Sequence, residues 1–388
     1  MENRRVLVVG AEENPSLCII ESLARQGMEV CAASHKRVCV GFFSRFVSRR
    51  FLYPSWALGE EAFLARIIEI ISRQRFEAVF VAGEQPSFIL CKHKKEIERY
   101  SKIPTPDFAT YMKCRDKSVT MKLAAASGVP VPRSYFPEET GIDQISRQVE
   151  YPVVIKPNSS NGARGIEYPS SAGELLEAYQ RVSSIYGPCH VQEYIPHSGM
   201  QYKAEVLLDG SLKVKAWCLY NKPRYYPPTG GSSTVNCTVE RQDILDYAVR
   251  ILKQIGWVGL GDCDFILDPR DNIPKLMEIN PRITRSIKIC MLAGVDFPFL
   301  LYKLARGEEL PDTLIYKKDI YLRYLFSDIF WFFKSPERFR AKPNFFWFFG
   351  KNLRDEVISF KDPGPALAYL LSSAAALFNK KEREFRLR

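Results

Sequence analysis

Short apolar runs alternate with amphipathic stretches along the first hundred residues of the chain. The runs predict buried strands, and the stretches between them carry apolar positions at helical spacing. The predicted strands are Val6–Val9, Met28–Ala33 and Ala78–Ala82, and the predicted helices are Ser16–Arg25, Glu61–Arg75 and Pro86–Tyr100. Strands that alternate with helices favour a parallel sheet, so we expect a small parallel α/β domain at the start of the chain. The first turn, Gly10–Pro15, lacks the Gly-x-Gly-x-x-Gly fingerprint of dinucleotide binding.

A second set of elements begins after the proline-rich linker Ile103–Asp107. Its first helix has a clear stop at Gly128, which is followed by Val-Pro-Val-Pro. The segment Pro227–Thr234 is polar and contains glycine, so we expect a loop there. The predicted elements are helix Lys117–Ser127, strand Val153–Lys156, helix Ala172–Tyr186, strand His190–Tyr194, a hairpin of Tyr202–Leu208 with Leu212–Leu219, and helix Asp243–Ile255.

A further hairpin carries the first candidate chemistry. Two apolar runs, Phe265–Leu267 and Ile273–Ile279, flank an Asp-Pro-Arg-Asp-Asn turn. Asp264 starts one strand, and Glu278 and Asn280 end the other. Residues two apart on a strand point to the same face, so three oxygen-bearing side chains meet at one end of the hairpin. Such a set fits a hard divalent cation such as Mg²⁺, which also shares phosphate oxygens.

Two arginines follow this hairpin directly. Pro281 stops the strand, and Arg282 and Arg285 place two guanidinium groups beside the predicted metal. Carboxylates for magnesium next to arginines for phosphate are typical of phosphoryl transfer. The alternative for this stretch alone is an exposed hairpin with ordinary charged residues at its turn.

A lysine and a glycine loop upstream favour nucleotide binding. Lys156 ends an apolar strand, and a lysine buried there requires an anionic partner for its ammonium group. The loop that follows, from Asn158 to Gly165, combines small residues with Gly162, so its backbone N–H groups can approach phosphate oxygens closely. A plain hairpin turn has a similar composition, and the strand lysine in front of the loop is the stronger signal.

Together these motifs resemble the ATP-grasp superfamily of carboxylate–amine and carboxylate–thiol ligases, over roughly Ala109 to Arg306. The resemblance implies an N-terminal Rossmann-like pre-ATP-grasp domain (1–108), a two-lobed ATP-grasp domain (109–310, with lobes 109–200 and 201–310) and a helical C-terminal extension (311–388). The fold class is therefore α/β (α+β). The matching motifs are Asp116-Lys117, Val153–Pro157 with the loop to Gly165, Val191–Ile195, and the hairpin with its arginines.

The resemblance also assigns roles to individual residues. It implies that Lys117 and Lys156 contact the α- and β-phosphates and that the loop Ser160–Gly165 covers the β- and γ-phosphates. The roles of Arg164, Glu205 and Ser232 stay open. The remaining implied roles are adenine binding by the Glu193 side chain and the Ile195 backbone, ribose contact by Gln201, a carboxylate or acyl-phosphate clamp at Arg224, metal binding by Asp264, Glu278 and Asn280, and stabilisation of the transferred phosphoryl group by Arg282 and Arg285.

The implied reaction has two steps. A substrate carboxylate attacks the γ-phosphate of ATP with Mg²⁺ (or Mn²⁺) as cofactor, and an amine then attacks the acyl phosphate to give an amide, ADP and phosphate. A kinase or a carbamoyl-phosphate-type enzyme would share every ATP-binding residue. A non-catalytic ATP-binding protein is the alternative of another class. The sequence does not identify the small-molecule carboxylate and amine substrates.

Composition narrows the class and location of the protein. With 388 residues and 46% apolar content, the chain is long enough for two or three soluble domains. The first apolar run is too short for a signal peptide, and no run of about twenty apolar residues predicts a membrane-spanning helix. The ten cysteines are scattered, without Cys-x-x-Cys, and we expect them to be reduced core residues in the cytosol.

The positive charge is concentrated near the C-terminus. Of the net charge of +11, +6 lies in residues 311–388, which hold fifteen Lys and Arg against nine Asp and Glu. The milder excess elsewhere fits an enzyme of anionic nucleotides and carboxylates. The sequence has no RNA-binding signature and no basic arm, so we expect no nucleic-acid partner.

The C-terminal extension is rich in aromatic residues. From Tyr321 to Phe349, thirteen residues are aromatic, and Lys334, Arg338, Arg340 and Lys342 lie between the two main clusters. Ala366–Phe378 is apolar and long enough for a helix. Such aromatic residues favour packing of the extension on the ATP-grasp core or on a second subunit of a homodimer. The alternative is peripheral contact with a membrane, on its inner face, which aromatic and basic residues together also fit.

Overall fold

The computed structural model describes residues 4–160, 162, 164–228 and 231–377. Two compact units make up the chain. The first unit consists of Met1–Asp107, Arg282–Pro311 and Arg354–Arg388, and the second consists of Phe108–Pro281 and Asp312–Leu353. No described helix is both long and apolar enough to cross a membrane.

A parallel four-stranded sheet forms the centre of the first unit, as predicted. Its strand order is β3-β2-β1-β4, and β1 is the central strand that pairs with both β2 and β4. Sequence reasoning missed the edge strand β3 because it opens with two exposed arginines. The elements before residue 108 are β1 (Arg5–Val9), α1 (Pro15–Arg25), β2 (Glu29–Ser34), β3 (Arg49–Leu52), α2 (Glu60–Gln74), β4 (Ala78–Val81), α3 (Glu84–Lys92) and α4 (Lys94–Ile97).

The second unit contains a small and a large antiparallel sheet. The small sheet has the order β5-β7-β6, and its apolar face packs on α8 and α9. The elements of residues 108–281 are α5 (Phe108–Arg115), α6 (Lys117–Ala126), β5 (Ser134–Tyr135), α7 (Pro137–Thr140), α8 (Ile142–Gln148), β6 (Val153–Pro157), α9 (Ala172–Tyr186), β7 (Cys189–Glu193), β8 (Gln201–Leu208), β9 (Val214–Tyr226), β10 (Ser232–Thr238), α10 (Gln242–Ile255), β11 (Gly259–Leu267) and β12 (Pro274–Asn280).

The large sheet has one apolar face and one polar face. Its strand order is β12-β11-β8-β9-β10-β13-β14. Alternate residues of β8, such as Ala204 and Val206, pack with Trp257 and with Met121 of α6 and Leu252 of α10 in the core. The residues between them on β8 therefore point to the other face of the sheet, which carries the polar side chains described below.

The described part of the C-terminal segment, expected to be a helical extension, contains two strands as well as two helices and is divided between the two units. β13 pairs antiparallel with β10, with Asn236 opposite Leu322, so residues 312–353 complete the large sheet. Residues 354–388 belong instead to the first unit, where the Ser44 hydroxyl donates to Asp362. The elements after residue 281 are α11 (Lys288–Ala293), α12 (Phe297–Ala305), β13 (Tyr321–Arg323), α13 (Leu325–Lys334), β14 (Leu353–Asp355) and α14 (Gly364–Leu377).

A buried charge cluster fixes α13 against this sheet. Asp328 is fully buried and accepts from Arg224 Nε and Nη2 at 3.0 and 2.9 Å, and from Thr234 Oγ1 at 2.7 Å. Arg323 Nε lies 2.8 Å from the same carboxylate. The third guanidinium nitrogen of Arg224 donates to the carbonyl of Pro343. One carboxylate therefore pairs with two buried guanidinium groups.

All ten cysteines are buried and free of disulfides, as predicted from their spacing.

We expect Asp328→Ala to lower the free energy of unfolding by about 3–5 kcal/mol, because it leaves two buried guanidinium groups uncompensated. Urea denaturation followed by tryptophan fluorescence measures this loss. The matched control is Glu240→Ala, which breaks the exposed pair with Lys318 and should leave the unfolding midpoint unchanged. Equal stability of the Asp328 and Glu240 variants would contradict the role of this cluster.

Candidate functional site

The predicted acidic hairpin is present, and its side chains meet on the polar face of the large sheet. In the pairing of β11 with β12, Asp264 lies opposite Glu278, and Asp262 lies opposite Asn280. The Asn280 amide nitrogen donates to Asp264 at 2.8 Å and to Asp262 at 3.1 Å. Cross-strand neighbours share a face, so the expected group of Asp264, Glu278 and Asn280 is assembled, with Asp262 behind it.

Two lysines that sequence reasoning missed compensate these aspartates. Lys203 Nζ lies 2.7 Å from both Asp262 oxygens and 3.5 Å from Asp264. Lys222 Nζ also donates to Asp264. Burial raises the pKa of Asp264, but Lys203 and Lys222 outweigh it and hold that pKa below its ordinary value. The alternation of polar residues at positions 201, 203 and 205 was the available signal for this face.

Glu205 belongs to the same buried network. Its side chain is fully buried and accepts from the Tyr220 hydroxyl at 2.9 Å. Burial, and then the neighbouring Asp262, raise the pKa of Glu205 well above its ordinary value. Glu205 is therefore an interior residue of this network, not a surface residue.

The two lysines expected to bind phosphate lie beside the acidic group. Lys117 begins α6, and the Asp116 side chain caps the first turn of this helix. The Nζ atom of Lys117 is 3.6 Å from the Glu278 carboxylate. Lys156 is 9% exposed at the end of β6. Burial lowers the pKa of Lys156 to about 8, Glu278 acts in the opposite direction, and Lys117 adds to the lowering. Cationic and anionic side chains of separate elements thus converge at one place in the second unit.

The glycine loop follows Lys156 as predicted. Ser160 accepts from Lys117 Nζ through its backbone carbonyl at 2.5 Å, which joins the loop to α6. Gly165 has a φ of +72°, and a Cβ there would lie 2.7 Å from the Tyr186 ring, so glycine is required. Gly162 also has a positive φ, and Arg164 is exposed. Asn161 and Ala163 lie outside the described residues.

Strand parity separates Glu193, the predicted adenine contact, from Lys156. In the pairing of β6 with β7, Lys156 lies opposite His190, and Val154 lies opposite Gln192, so these four side chains share one face. Glu193 lies opposite Val153 on the other face. Its carboxylate accepts from the Arg133 backbone N–H at 2.9 Å and pairs with Arg270 at 3.1 Å and Lys275 at 3.4 Å.

Gln192, which sequence reasoning passed over, is the polar residue on the Lys156 face. Its amide nitrogen donates to Ser134 Oγ at 2.9 Å, and that hydroxyl in turn donates to the Pro132 carbonyl at 2.8 Å. Because the Ser134 proton is committed to Pro132, the orientation of the Gln192 amide is fixed. Gln192 Oε1 is buried and has no hydrogen-bond partner in the described part of the chain.

Gln201 and Ile195 are the residues expected to contact ribose and adenine. Gln201 begins β8 and shares a strand face with Lys203, toward the acidic group. Ile195 lies two residues beyond β7, and its side chain is buried. Ser232 begins β10 opposite Tyr226, in a segment expected to be a loop, and is exposed. Thr229 and Gly230 of that segment lie outside the described residues.

The three arginines expected at the site have other contacts. Arg224 was expected to clamp a substrate carboxylate, but all three of its guanidinium nitrogens contact Asp328 or Pro343 in the interior of the second unit, so that role is not supported. In the first unit, Arg282 pairs with Glu84 at 2.5 Å, and Arg285 pairs with Glu356 at 3.2 Å. Their roles toward a phosphoryl group rest on the resemblance alone.

The donor set on the acidic hairpin fits a magnesium ion. Two carboxylates and one amide are hard oxygen donors on one face, and ATP phosphates commonly complete such a coordination shell. Within the described residues, no group of three or more His, Cys, Asp or Glu side chains is placed to hold a metal ion.

Comparisons with known proteins point to one domain type. A family model described as an ATP-grasp domain matches residues 114–286. The carbamoyl phosphate synthase large chain of Saccharolobus islandicus is 24% identical over 314 residues, which cover 76% of this chain and 29% of that protein. The D-alanine–D-alanine ligase of Nitrosospira multiformis is 25% identical over 207 residues, which cover 49% of this chain and 65% of that protein.

A solved structure shows the same fold. It is the biotin carboxylase domain of the Hydrogenobacter thermophilus 2-oxoglutarate carboxylase in complex with MgADP, ADP and bicarbonate. Its TM-score is 0.67 at 18% identity, and the match covers 82% of this chain and 73% of that chain. This chain spans less than a third of the length of the carbamoyl phosphate synthase that it matches. Residues 114–286 of this chain form an ATP-grasp domain.

Proposed function

We propose that the protein is an ATP- and Mg²⁺-dependent ligase that activates a carboxylate as an acyl phosphate and joins it to an amine, with release of ADP and phosphate. The observation that carries the proposal is the convergence of Lys117 and Lys156 with the acidic group of Asp264, Glu278 and Asn280. Phosphate oxygens need cationic side chains, and a metal that bridges them needs carboxylates within the same few ångströms. The D-alanine–D-alanine ligase among the relatives supports amide formation.

In this mechanism the lysines hold the nucleotide in place. Lys117 and Lys156 bind phosphate oxygens, and the glycine loop from Ser160 to Gly165 covers them with backbone N–H groups. Asp264, Glu278 and Asn280 would hold Mg²⁺, and the ion would supply charge neutralisation on the transferred phosphoryl group. The substrate carboxylate attacks the γ-phosphorus, ADP leaves, and the amine then displaces phosphate from the acyl phosphate.

A kinase or a carbamoyl-phosphate-type enzyme is the second candidate, favoured by the match to carbamoyl phosphate synthase. Such an enzyme would use the same ATP-binding residues and a different acceptor. ADP release assayed with pools of amino acids, sugar acids and amines, followed by mass spectrometry of the product, distinguishes an amide from a phosphate ester or carbamoyl phosphate.

Lys156→Ala and Glu278→Ala should both abolish ADP release, for different reasons. Loss of Lys156 removes charge-assisted phosphate contacts of about 1.5–3 kcal/mol and should weaken ADP binding itself. Loss of Glu278 removes a metal ligand, so the metal dependence of nucleotide binding should disappear while metal-free ADP still binds. Calorimetric titration with ADP, with and without Mg²⁺, separates the two effects. Wild-type turnover in either variant would contradict the proposed site.

We propose that Gln192, not Glu193, accepts the exocyclic amine of adenine. The fixed amide of Gln192 presents an oxygen, which can accept a hydrogen bond from the amine of adenine. Guanine has a carbonyl at that position and cannot donate, so ATP should be used in preference to GTP. Gln192→Leu should raise the KM for ATP by about tenfold, equivalent to about 1.4 kcal/mol. Glu193→Gln is the matched control on the opposite strand face and should leave that KM nearly unchanged. The reverse order of effects, or equal use of GTP, would contradict this assignment.

We further propose that the enzyme contacts an anionic membrane surface from the cytoplasmic side, through an aromatic–basic patch formed by residues 329–351 of the second unit. Phe333 and Phe349 are 72% and 80% exposed, and their neighbours Phe330, Phe339 and Phe346 are more than half exposed. Phe332 joins this group by ring contacts with Phe333, Phe339, Phe345 and Phe346. Exposed aromatic surface of this extent is typical of an interaction site.

The charges around this patch favour lipid headgroups as its partner. Its exposed charged residues are Lys334, Arg338, Arg340, Lys342 and Lys351 against the single acid Glu337. Basic side chains attract anionic headgroups, and phenylalanine rings insert at the interface. A homodimer is the competing use of the patch, and it would bury the same rings.

Wild-type protein should co-sediment at low salt with vesicles of phosphatidylcholine and phosphatidylglycerol and remain in the supernatant with phosphatidylcholine alone. Phe333→Ser/Phe349→Ser should abolish this binding because it removes the most exposed rings. The matched control is Ile315→Ser/Ile185→Ser, which changes equally exposed apolar residues outside the patch. Wild-type protein that stays in the supernatant, or that forms a dimer lost in the Phe333/Phe349 variant, would contradict membrane contact.

A further inference from the structure

A buried histidine lies beside the lysine that we assign to phosphate binding. His190 of β7 is 1% exposed and lies directly opposite Lys156 of β6. Its Nδ1 is 2.9 Å from Asn158 Oδ1. An amide oxygen can only accept, so Nδ1 carries the imidazole proton. A buried polar side chain on a strand of the small sheet needs a hydrogen-bond partner, whereas an apolar side chain at the same position would not.

Asn158 connects the three elements that hold the nucleotide phosphates. Its backbone N–H donates to the Pro188 carbonyl at 2.9 Å, and its carbonyl accepts from the Lys117 backbone N–H at 2.9 Å. It lies two residues after Lys156 and two residues before Ser160, whose carbonyl accepts from Lys117 Nζ. A displacement of Asn158 would therefore move the start of α6 and the start of the glycine loop together.

The imidazole stays neutral in this position. Burial, and then the cationic Lys156 and Lys117, lower the pKa of His190 to about 3. The ring therefore donates the same hydrogen bond throughout the neutral and alkaline range and adds no positive charge next to the lysines. A protonated ring would repel both ammonium groups.

We propose that His190 is a positioning residue for the nucleotide: it holds Asn158, and through Asn158 it sets the positions of Lys117 and of the first turn of the glycine loop. The proposal rests on the proposed nucleotide site and adds to it a residue that does not touch the phosphates. His190 acts through backbone hydrogen bonds of Asn158, so its loss should affect nucleotide affinity more than the chemical step.

The test measures ADP binding by calorimetry and the KM and kcat for ATP in His190→Leu and His190→Gln. Leucine fills the space without a donor, and we expect the dissociation constant for ADP and the KM for ATP to rise about tenfold, with a smaller change in kcat. Glutamine can donate to Asn158 through its amide and should restore part of the affinity. Asn158→Ala and the double variant complete a cycle, in which the two losses should not add because they break one interaction.

The matched control is Val191→Ala, the next residue on the same strand, whose side chain is fully buried on the opposite, apolar face. It should lower the melting temperature without weakening ADP binding. The proposal is overturned if His190→Leu binds ADP as tightly as the wild type, if Val191→Ala weakens ADP binding equally, or if the effects of the His190 and Asn158 substitutions add. A wild-type protein that binds no ADP would instead remove the proposed nucleotide site itself.

Discussion

Compensation of buried charge on one face of the large sheet is the constraint on which the second unit depends. Lys203 and Asp262 are almost completely buried, and Lys222 and Asp264 are nearly so. An ion buried without a partner costs several kcal/mol, so both signs of charge must occupy the same face in matching positions. A slip of one residue between β8 and β11 would send Lys203 or Asp262 into the apolar core under the sheet. The charges thus fix the strand register as well as the chemistry.

The same alternation decides which side chains of the small sheet share a face with Lys156. One face of β6 and β7 is apolar and packs on helices, whereas the other face carries Lys156, His190 and Gln192. Glu193 differs from Gln192 by one position and therefore points to the opposite face, where two basic side chains and a backbone N–H satisfy it. In a strand, chemical type identifies a candidate residue, but parity decides whether it can act.

The C-terminal segment shows how a distant part of the chain can complete a domain. β13 extends the large sheet beyond β10, and Asp328 on the next helix pairs with both Arg224 and Arg323. An arginine that looked like a substrate clamp is in this way a structural residue. In the aromatic stretch nearby, Trp331 and Phe345 are buried against the guanidinium groups of Arg224 and Arg323, whereas Phe333 and Phe349 are exposed.

Elements whose signals are local could be predicted from the sequence. The hairpin of Asp264, Glu278 and Asn280 was predictable because its turn, its apolar runs and its spacing of two all lie within about twenty residues. Lys156 was predictable because a lysine in an apolar strand needs an anion, and the glycine loop that follows can hold a phosphate. Tertiary structure alone decided the partners of the charged residues.

Arg224 meets Asp328, which lies 104 positions further along the chain. Lys203 and Lys222 meet Asp264 only after β8, β9 and β11 have paired. A sequence shows the residue types and their periodicity, but the partner of a buried charge depends on which strands become neighbours, and long-range pairing sets that.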